Sequence, residues 1–542
     1  MGQNPYGRLA AMLQGGAGNW IAENRLAVAG VAFAVVIAAV SAALLVTDEK
    51  IAEIAEPGPA AEATAEPAVT GGAEEADEDA AVAGAPANVA GEDVNRVFTD
   101  GSKDAAGKPC VKRRVDEVGV SDDEITIGQI VTDSNTIPQQ FKPAHEGLQA
   151  FVQLFNRNGG LCGRKLRLEY RNDQFNAAIH TQDMRDLANR VLAFVGNESL
   201  FDQLDYNNRA PYEPNFQGGG SYVPDVGGLA FSYPRGHSQW HAGVVGSVSP
   251  TLVGGAQYKH FQGEAKAKGK PCVKGAVFYL QEPTGASEDQ ARVGQVSIEE
   301  KWGAGLGKGN TKLYGVSLLN TDVSAYEAIV DQMASDGMNC LFAYADLGSS
   351  IKLAQAARNR GYWPPSKCSR GDDCFRVFYI PLSAYDEKFI RDAGDGALDV
   401  STFIPHLPLT ESSKTAMRTY LQALRAVPDA RPSTFSVLGY ASGAMFIEGL
   451  RGCSDAPTRT CLMGALRKMK DFTAGGLLGG TTPFRTTRVT FDRYGTFDWK
   501  WIFNSTIALR VMDRNGKRDF YRINPDQGFY VDTLKIARGA PG

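Results

Sequence analysis

The sequence is poor in the groups on which most enzymes and nucleic-acid binders rely. Histidine occurs only six times in 542 residues. His237 and His241 are four apart, the spacing of a helical zinc pair, but no glutamate stands between them. Such a pair without a third ligand seldom holds a metal. No CxxC occurs, and Cys368 and Cys374 have no histidine nearby, which argues against a thiolate metal site. Gly439-Tyr440-Ala441-Ser442-Gly443 lacks the spacing of a nucleophile elbow and sits inside a helical pattern. Gly303–Gly309 lacks the spacing of a phosphate-binding loop. The formal net charge is −5 and no basic run occurs, so the electrostatic footprint of a nucleic-acid binder is missing. With no catalytic constellation and no cofactor motif, the chain reads as something other than an enzyme.

Two further absences organise the N-terminal part. Leu26–Val46 contains no charged residue. As a helix this run is about 31 Å long, the thickness of a bilayer core. A cleaved signal peptide is the competing reading, but its apolar core usually spans only about 7–15 residues. Arg8 and Arg25 precede the run, while Asp48 and Glu49 follow it. Positive flanks stay inside, so residues 1–25 are expected in the cytoplasm and the rest outside. The second is a near-absence of large apolar residues in 47–93, which hold thirteen acidic residues and one lysine among Ala, Pro and Gly. Such a segment cannot bury enough surface to offset chain entropy and is expected to be a disordered linker. No cysteine precedes Cys110. Counted from Cys110 there are eight, an even number, as expected where thiols are oxidised.

From Asp122 onward short apolar runs alternate with amphipathic ones. Glu124–Val131, Lys165–Tyr170 and Leu192–Gly196 read as strands, with helices over Pro143–Asn158 and Gln182–Val191 between them. A second series starts with strands at Val273–Leu280 and Lys312–Leu319. It continues with a helix at Ala325–Ser335, a strand at Asn339–Ala345, a helix at Ser350–Arg360 and a strand at Phe375–Ile380. Repeated strand–helix–strand units imply parallel sheets covered on both faces, and two series imply two lobes. After a helix at Phe435–Leu450 the pattern turns β-rich at Arg488–Phe491, Trp499–Phe503 and Thr506–Met512.

Several stretches resemble, in order, a known family. GVSDDEITIGQIV opens the body; PAHEGLQAFVQLFNRNGGLCGRKLRLEYRND gives a helix, a Gly-rich turn and a strand ending in Asp; SAYEAIVDQMASDGMNCLFAY and PFRTTRVTFDRYGTFD follow. The chain resembles the type I periplasmic-binding proteins that serve branched-chain amino-acid (Leu/Ile/Val) ABC transporters. The resemblance implies a two-lobed α/β fold, two parallel doubly wound sheets with a hinge that the chain crosses three times. Lobe one would take about 120–247 and 400–485, and lobe two about 248–399 and 486–542. It implies a membrane-anchored extracytoplasmic protein that binds a small polar solute, an amino acid or similar, and passes it to an ABC permease. An ectodomain reporting ligand occupancy to a membrane partner is the alternative. The anchor favours it, and a 25-residue stub too short for a signalling domain weighs against it. An enzyme or cell-wall factor on the same fold is a third class, since fold does not fix function.

The resemblance also points to site residues. In the family the loop after the third strand holds a ligand carboxylate with a hydroxyl and amides; here it reads Asn197-Glu198-Ser199, and Glu198 departs from the pattern. A carboxylate there would favour a cationic ligand, although Asn, Ser and Glu also suit a helix cap and first turn. Ser221 and Tyr222 follow three glycines in a second loop, which is also readable as a plain loop. Thr284 stands where the family carries an aromatic residue, with Tyr279 upstream or in the strand core. Tyr344 precedes Asp346, which would receive an ammonium group or cap the next helix, and Tyr385 would be an aromatic wall or hinge packing. Four tyrosines near one cleft would suit a small organic solute.

Eight cysteines allow 105 pairings. Cys272 and Cys340 start neighbouring strands of a doubly wound sheet, and Cys368–Cys374 and Cys453–Cys461 each flank a short polar loop. Elimination leaves Cys110 for Cys162, which would pin 94–119 to lobe one.

Overall fold

The computed structural model describes residues 101–202, 223–244, 258–478, 490–497 and 508–522, apart from scattered positions within them. The apolar run Leu26–Val46, the acidic linker and the strand expected at Trp499–Phe503 lie outside the described residues. Among the described residues no helix is long and apolar enough to cross a membrane.

Strand β1 (Glu124–Val131) is buried along all but its first residue. Burial on both faces is the mark of a central parallel strand. It lies between β2 (Lys165–Asn172) and β3 (Ala193–Val195), parallel to both. Two very short strands, β4 (Asp225–Val226) and β5 (His241–Ala242), continue the sheet in the order β2-β1-β3-β4-β5. Helix α1 (Lys142–Arg157) covers one face with Leu148, Phe151 and Phe155. Helix α2 (Ala177–Ala188) lays Met184 and Leu187 against Ile130 and Phe194 on the other.

The second sheet contains β6 (Gly275–Gln281), β7 (Thr311–Ser317), β8 (Cys340–Tyr344), β9 (Val377–Tyr379) and β10 (Ser401–Phe403). These run parallel in the order β10-β9-β8-β6-β7. Helices α3 (Ala286–Glu299), α4 (Val323–Ser335), α5 (Leu347–Asn359) and α6 (Glu387–Ala393) connect them. One expectation is corrected here: this sheet is mixed. After the small hairpin of β11 (Thr490–Asp492) and β12 (Gly495–Phe497), strands β13 (Ala508–Arg514) and β14 (Lys517–Arg522) add to its edge antiparallel. A hairpin at the edge needs no crossover helix, which is why parallel sheets often end this way.

The chain passes between the lobes after β5, after β10 and again before β13. The second passage falls after Phe403, because β10 still pairs with β9. Helices α7 (Thr415–Leu424), α8 (Thr434–Arg451) and α9 (Arg459–Lys468) follow it. Helix α8 packs on α1, with Phe151 edge-on to Tyr440 at 5.5 Å. Their backbones touch through two glycines. A Cβ on Gly147 would stand 1.9 Å from the Ser436 carbonyl oxygen, and one on Gly439 would stand 1.9 Å from that of Ala144.

Four disulfides join Cys110–Cys162, Cys272–Cys340, Cys368–Cys374 and Cys453–Cys461, with Cα separations of 5.4, 5.8, 6.0 and 6.0 Å. All lie in the ordinary range for the bond. Gly275, three residues after Cys272, is in register with Cys340, so topology alone brings that pair together.

Candidate functional site between the two carboxyl edges

In open α/β sheets ligands bind beyond the carboxyl ends of the strands. Here the contacts between the lobes gather at those ends. Gln140, in the loop after β1, accepts a hydrogen bond from the Leu347 backbone N–H, the first of α5, at 2.9 Å. Gln290 on α3 donates to the Phe231 carbonyl, in the loop after β4, at 3.4 Å. Within lobe one, beside these contacts, Phe141 stands edge-on to both Phe231 and Phe435 at 5.2 and 4.9 Å. The two carboxyl edges therefore face each other.

The loop after β3 is held tightly from within lobe one. Asn197 accepts the Ile130 backbone N–H through Oδ1 at 2.8 Å, while its Nδ2 is buried without a partner. Glu198 is fully buried; Oε1 accepts the Leu229 N–H at 2.9 Å and Oε2 has no hydrogen bond. Burial pushes its carboxyl well above the usual carboxylate range, against the pull of Arg235. The residue that would attract a cation as a carboxylate is thus held towards its neutral form. Ser199 donates to Asp173 Oδ2 at 2.5 Å and accepts the Phe201 N–H at 3.1 Å. The same Asp173 oxygen meets Thr132 Oγ1 at 2.9 Å and His180 Nδ1 at 3.2 Å. All four side chains are buried, and the only hydroxyl proton of Ser199 is committed to Asp173. Ser, His and Asp meet here as a strut. His180 Nδ1 also lies 3.1 Å from Ser199 Oγ, but both groups address the same Asp173 oxygen, so the carboxylate rather than the imidazole takes the serine's hydrogen bond.

Next to this strut lies a buried ion pair. Arg235 grips Asp225 with Nε and NH2 at 2.8 and 3.0 Å, and NH1 donates to the Asn197 carbonyl at 3.2 Å. His241 sits in strand β5, not on a helix, and its Nδ1 is 3.0 Å from Asp225. Burial pushes the Asp225 carboxyl up, but Arg235 and His241 outweigh it and hold it below the usual range. The sequence offered no signal for this cluster, because its members lie ten and six residues apart across two strands of only two residues each, with no motif spacing.

The second lobe spreads its candidates apart. Tyr344 lies in the core of lobe two, its hydroxyl bonded to that of Tyr258 and set against Gly294 of α3. The ring of Tyr279 covers Gly315 on the neighbouring strand, 2.5 Å from where a Cβ would stand. Tyr385 is buried between the lobes, its hydroxyl accepting the Leu409 N–H at 3.0 Å and its ring edge-on to His406 at 5.6 Å. These three rings do not line one cleft, which corrects that expectation; strand packing and crossover packing claim them. Asp346 caps α5, with Oδ1 accepting from Gly348 and Ser349 N–H at 2.7 and 3.1 Å. Its Oδ2 is buried with no hydrogen-bond partner, one residue before the Gln140 contact at Leu347. Ser221, Tyr222, Thr284 and His237 lie outside the described residues.

No curated protein matches the chain in sequence. Solved structures resemble it in fold. A fatty acid ABC transporter substrate-binding protein from Thermomonospora curvata is 16% identical with a TM-score of 0.56, covering 80% of this chain and 97% of its own. A solute-binding protein of an ABC transporter from R. palustris, in complex with 4-hydroxybenzoate, is 16% identical with a TM-score of 0.54 over 74% and 96%. A leucine binding protein from Thermotoga maritima is 14% identical with a TM-score of 0.52 over 74% and 99%. Residues 292–497 match the family model of the periplasmic binding proteins. Residues 292–497 thus resemble the periplasmic binding proteins in sequence, and the described body shares the two-lobed fold of these solved solute-binding proteins.

Proposed function

We propose that this chain is a membrane-anchored, extracytoplasmic solute-binding protein that encloses a small polar solute, an amino acid or a close analogue, between its lobes and delivers it to an ABC importer. The observation that carries this reading is the meeting of the two carboxyl edges at Gln140 and Leu347. Two lobes joined by three crossing segments can open and close over a solute while the segments absorb the change. The uncharged run Leu26–Val46 supports the anchor, and the acidic linker after it supports a tether that lets the body reach a partner in the membrane.

Asp346 is the residue we assign to a solute ammonium group, because its Oδ2 is a buried acceptor with no protein donor. Replacement by asparagine separates this role from capping, since asparagine caps a helix about as well as aspartate. Asp346→Asn is expected to leave the melting temperature nearly unchanged. Titration calorimetry with the bound solute is expected to show a loss of about 1.5–3 kcal/mol, the cost of a charged hydrogen bond. Equal affinity in the two proteins would remove Asp346 from the site.

A further inference from the structure

A cavity of about 350 Å³ lies in the second lobe at the end of the sheet opposite the carboxyl edge. Its walls include Phe261, Trp363 and Phe378, with Lys270, Arg376 and Asp399 around them. Topology fixes where it is. Phe261 and Lys270 precede β6, Trp363 and Arg376 precede β9, Phe378 is the second residue of β9, and Asp399 precedes β10. All the walls therefore stand at the amino edge, away from the loops in which the solute site is proposed.

The lining is apolar below and charged above. Trp363 and Phe378 are buried and pack edge-on at 5.5 Å on one face of the sheet, and Phe261 belongs to the core on the other face. The indole N–H of Trp363 is buried and donates to no group. An unmet buried donor costs free energy that an incoming acceptor would recover. Lys270 is exposed, and neither its side chain nor that of Asp399 forms a hydrogen bond or ion pair among the described residues. The guanidinium of Arg376 reaches the solvent-exposed Asp372 at 3.3 Å, a pair that water largely screens. The cavity thus presents unpaired charge of both signs over an aromatic floor, within the size range of small-molecule sites.

We propose that this cavity is a second ligand site, and that it takes a small zwitterion with an apolar side group, such as an aromatic amino acid. The carboxylate would face Lys270 and Arg376, the ammonium Asp399, and the side group the rings of Phe261, Trp363 and Phe378. The site does not depend on which solute occupies the cleft.

Fluorine NMR on the full chain in detergent, labelled with 5-fluorotryptophan, reads the site directly through Trp363. Trp363→Phe assigns its signal; should that buried variant misfold, single replacements of the other five tryptophans assign it by elimination. Titration with L-phenylalanine is expected to shift the Trp363 signal saturably. The half-charged analogues 3-phenylpropionate and phenethylamine are expected to bind at least tenfold more weakly. Asp399 sits at φ +60°, a conformation asparagine also adopts, so Asp399→Asn preserves the backbone. That variant and Lys270→Gln are each expected to weaken L-phenylalanine at least fivefold. A Trp363 signal that L-phenylalanine does not move, a half-charged analogue that binds as tightly as the zwitterion, or an unchanged titration in Asp399→Asn would each overturn the proposal.

Discussion

Glu198 and Asp173 are two buried carboxyls with opposite surroundings. Asp173 gathers Thr132, His180 and Ser199 around one oxygen, while Glu198 receives a single N–H and keeps Oε2 unpaired. The ordinary carboxyl value for Glu198 is 4.5, and burial raises it well above that in the fold. Above pH 4.5 the unfolded chain releases this proton while the folded chain keeps it, so the folded state loses ground as pH rises towards the folded value. Glu198→Gln removes that loss. Urea unfolding at pH 5 and pH 8 is expected to show the glutamine variant gaining on the natural protein at the higher pH. An identical offset at both values would mean that Glu198 ionises normally. Loop positions such as Asn197, Glu198 and Ser199 were legible in the sequence as a loop after a strand, but their partners were not. Those partners come from β1, the end of β2 and the loop after β4, and no local spacing encodes such contacts.

Elements were legible where they were long and buried. Glu124–Val131 reads as a strand and is one, because a doubly covered strand leaves a run rich in β-branched residues, here Ile125, Thr126, Ile127, Ile130 and Val131. Strands β4, β5 and β10 span only two or three residues, too few for any period to show. Strand β14 reads Lys-Arg-Asp-Phe-Tyr-Arg, whose charges hid it next to the more apolar β13. The contact of α1 with α8 depends on Gly147 and Gly439, each with its α-carbon against a carbonyl of the other helix. A helical glycine is normally improved by alanine, by about 0.5–1 kcal/mol. Here the methyl group would collide with backbone that no rotamer change can relieve. Gly439→Ala and Gly147→Ala are therefore each expected to destabilise by about 1–3 kcal/mol or more, the range for overpacked cores. Thermal unfolding checks this, and a rise in melting temperature in either variant would contradict the close crossing.

On the scale of the molecule, two sheets share a chain that passes between them after β5, after β10 and before β13. The alternation of strands and helices made the two lobes legible, and the resemblance supplied their interleaving. The antiparallel edge of the second sheet was not foreseen, because its strands follow the last helix and pair with β10 across about a hundred residues. The central claim is that the two facing carboxyl edges bind a solute. Both sheets are built from described residues that begin at Glu124, and 47–93 are poor in core-forming side chains, so a protein beginning at residue 94 is expected to be soluble and folded. The most direct measurement is thermal unfolding of that protein against a panel of amino acids, amides, polyamines and aromatic acids. A ligand that binds only the folded state stabilises it by about 2.7 kcal/mol at a hundred times its Kd. We expect one chemical class, carrying an ammonium group, to raise the melting temperature saturably and to lose most of that effect in Asp346→Asn. A flat response across the panel, or a rise that Asp346→Asn leaves intact, would contradict the account.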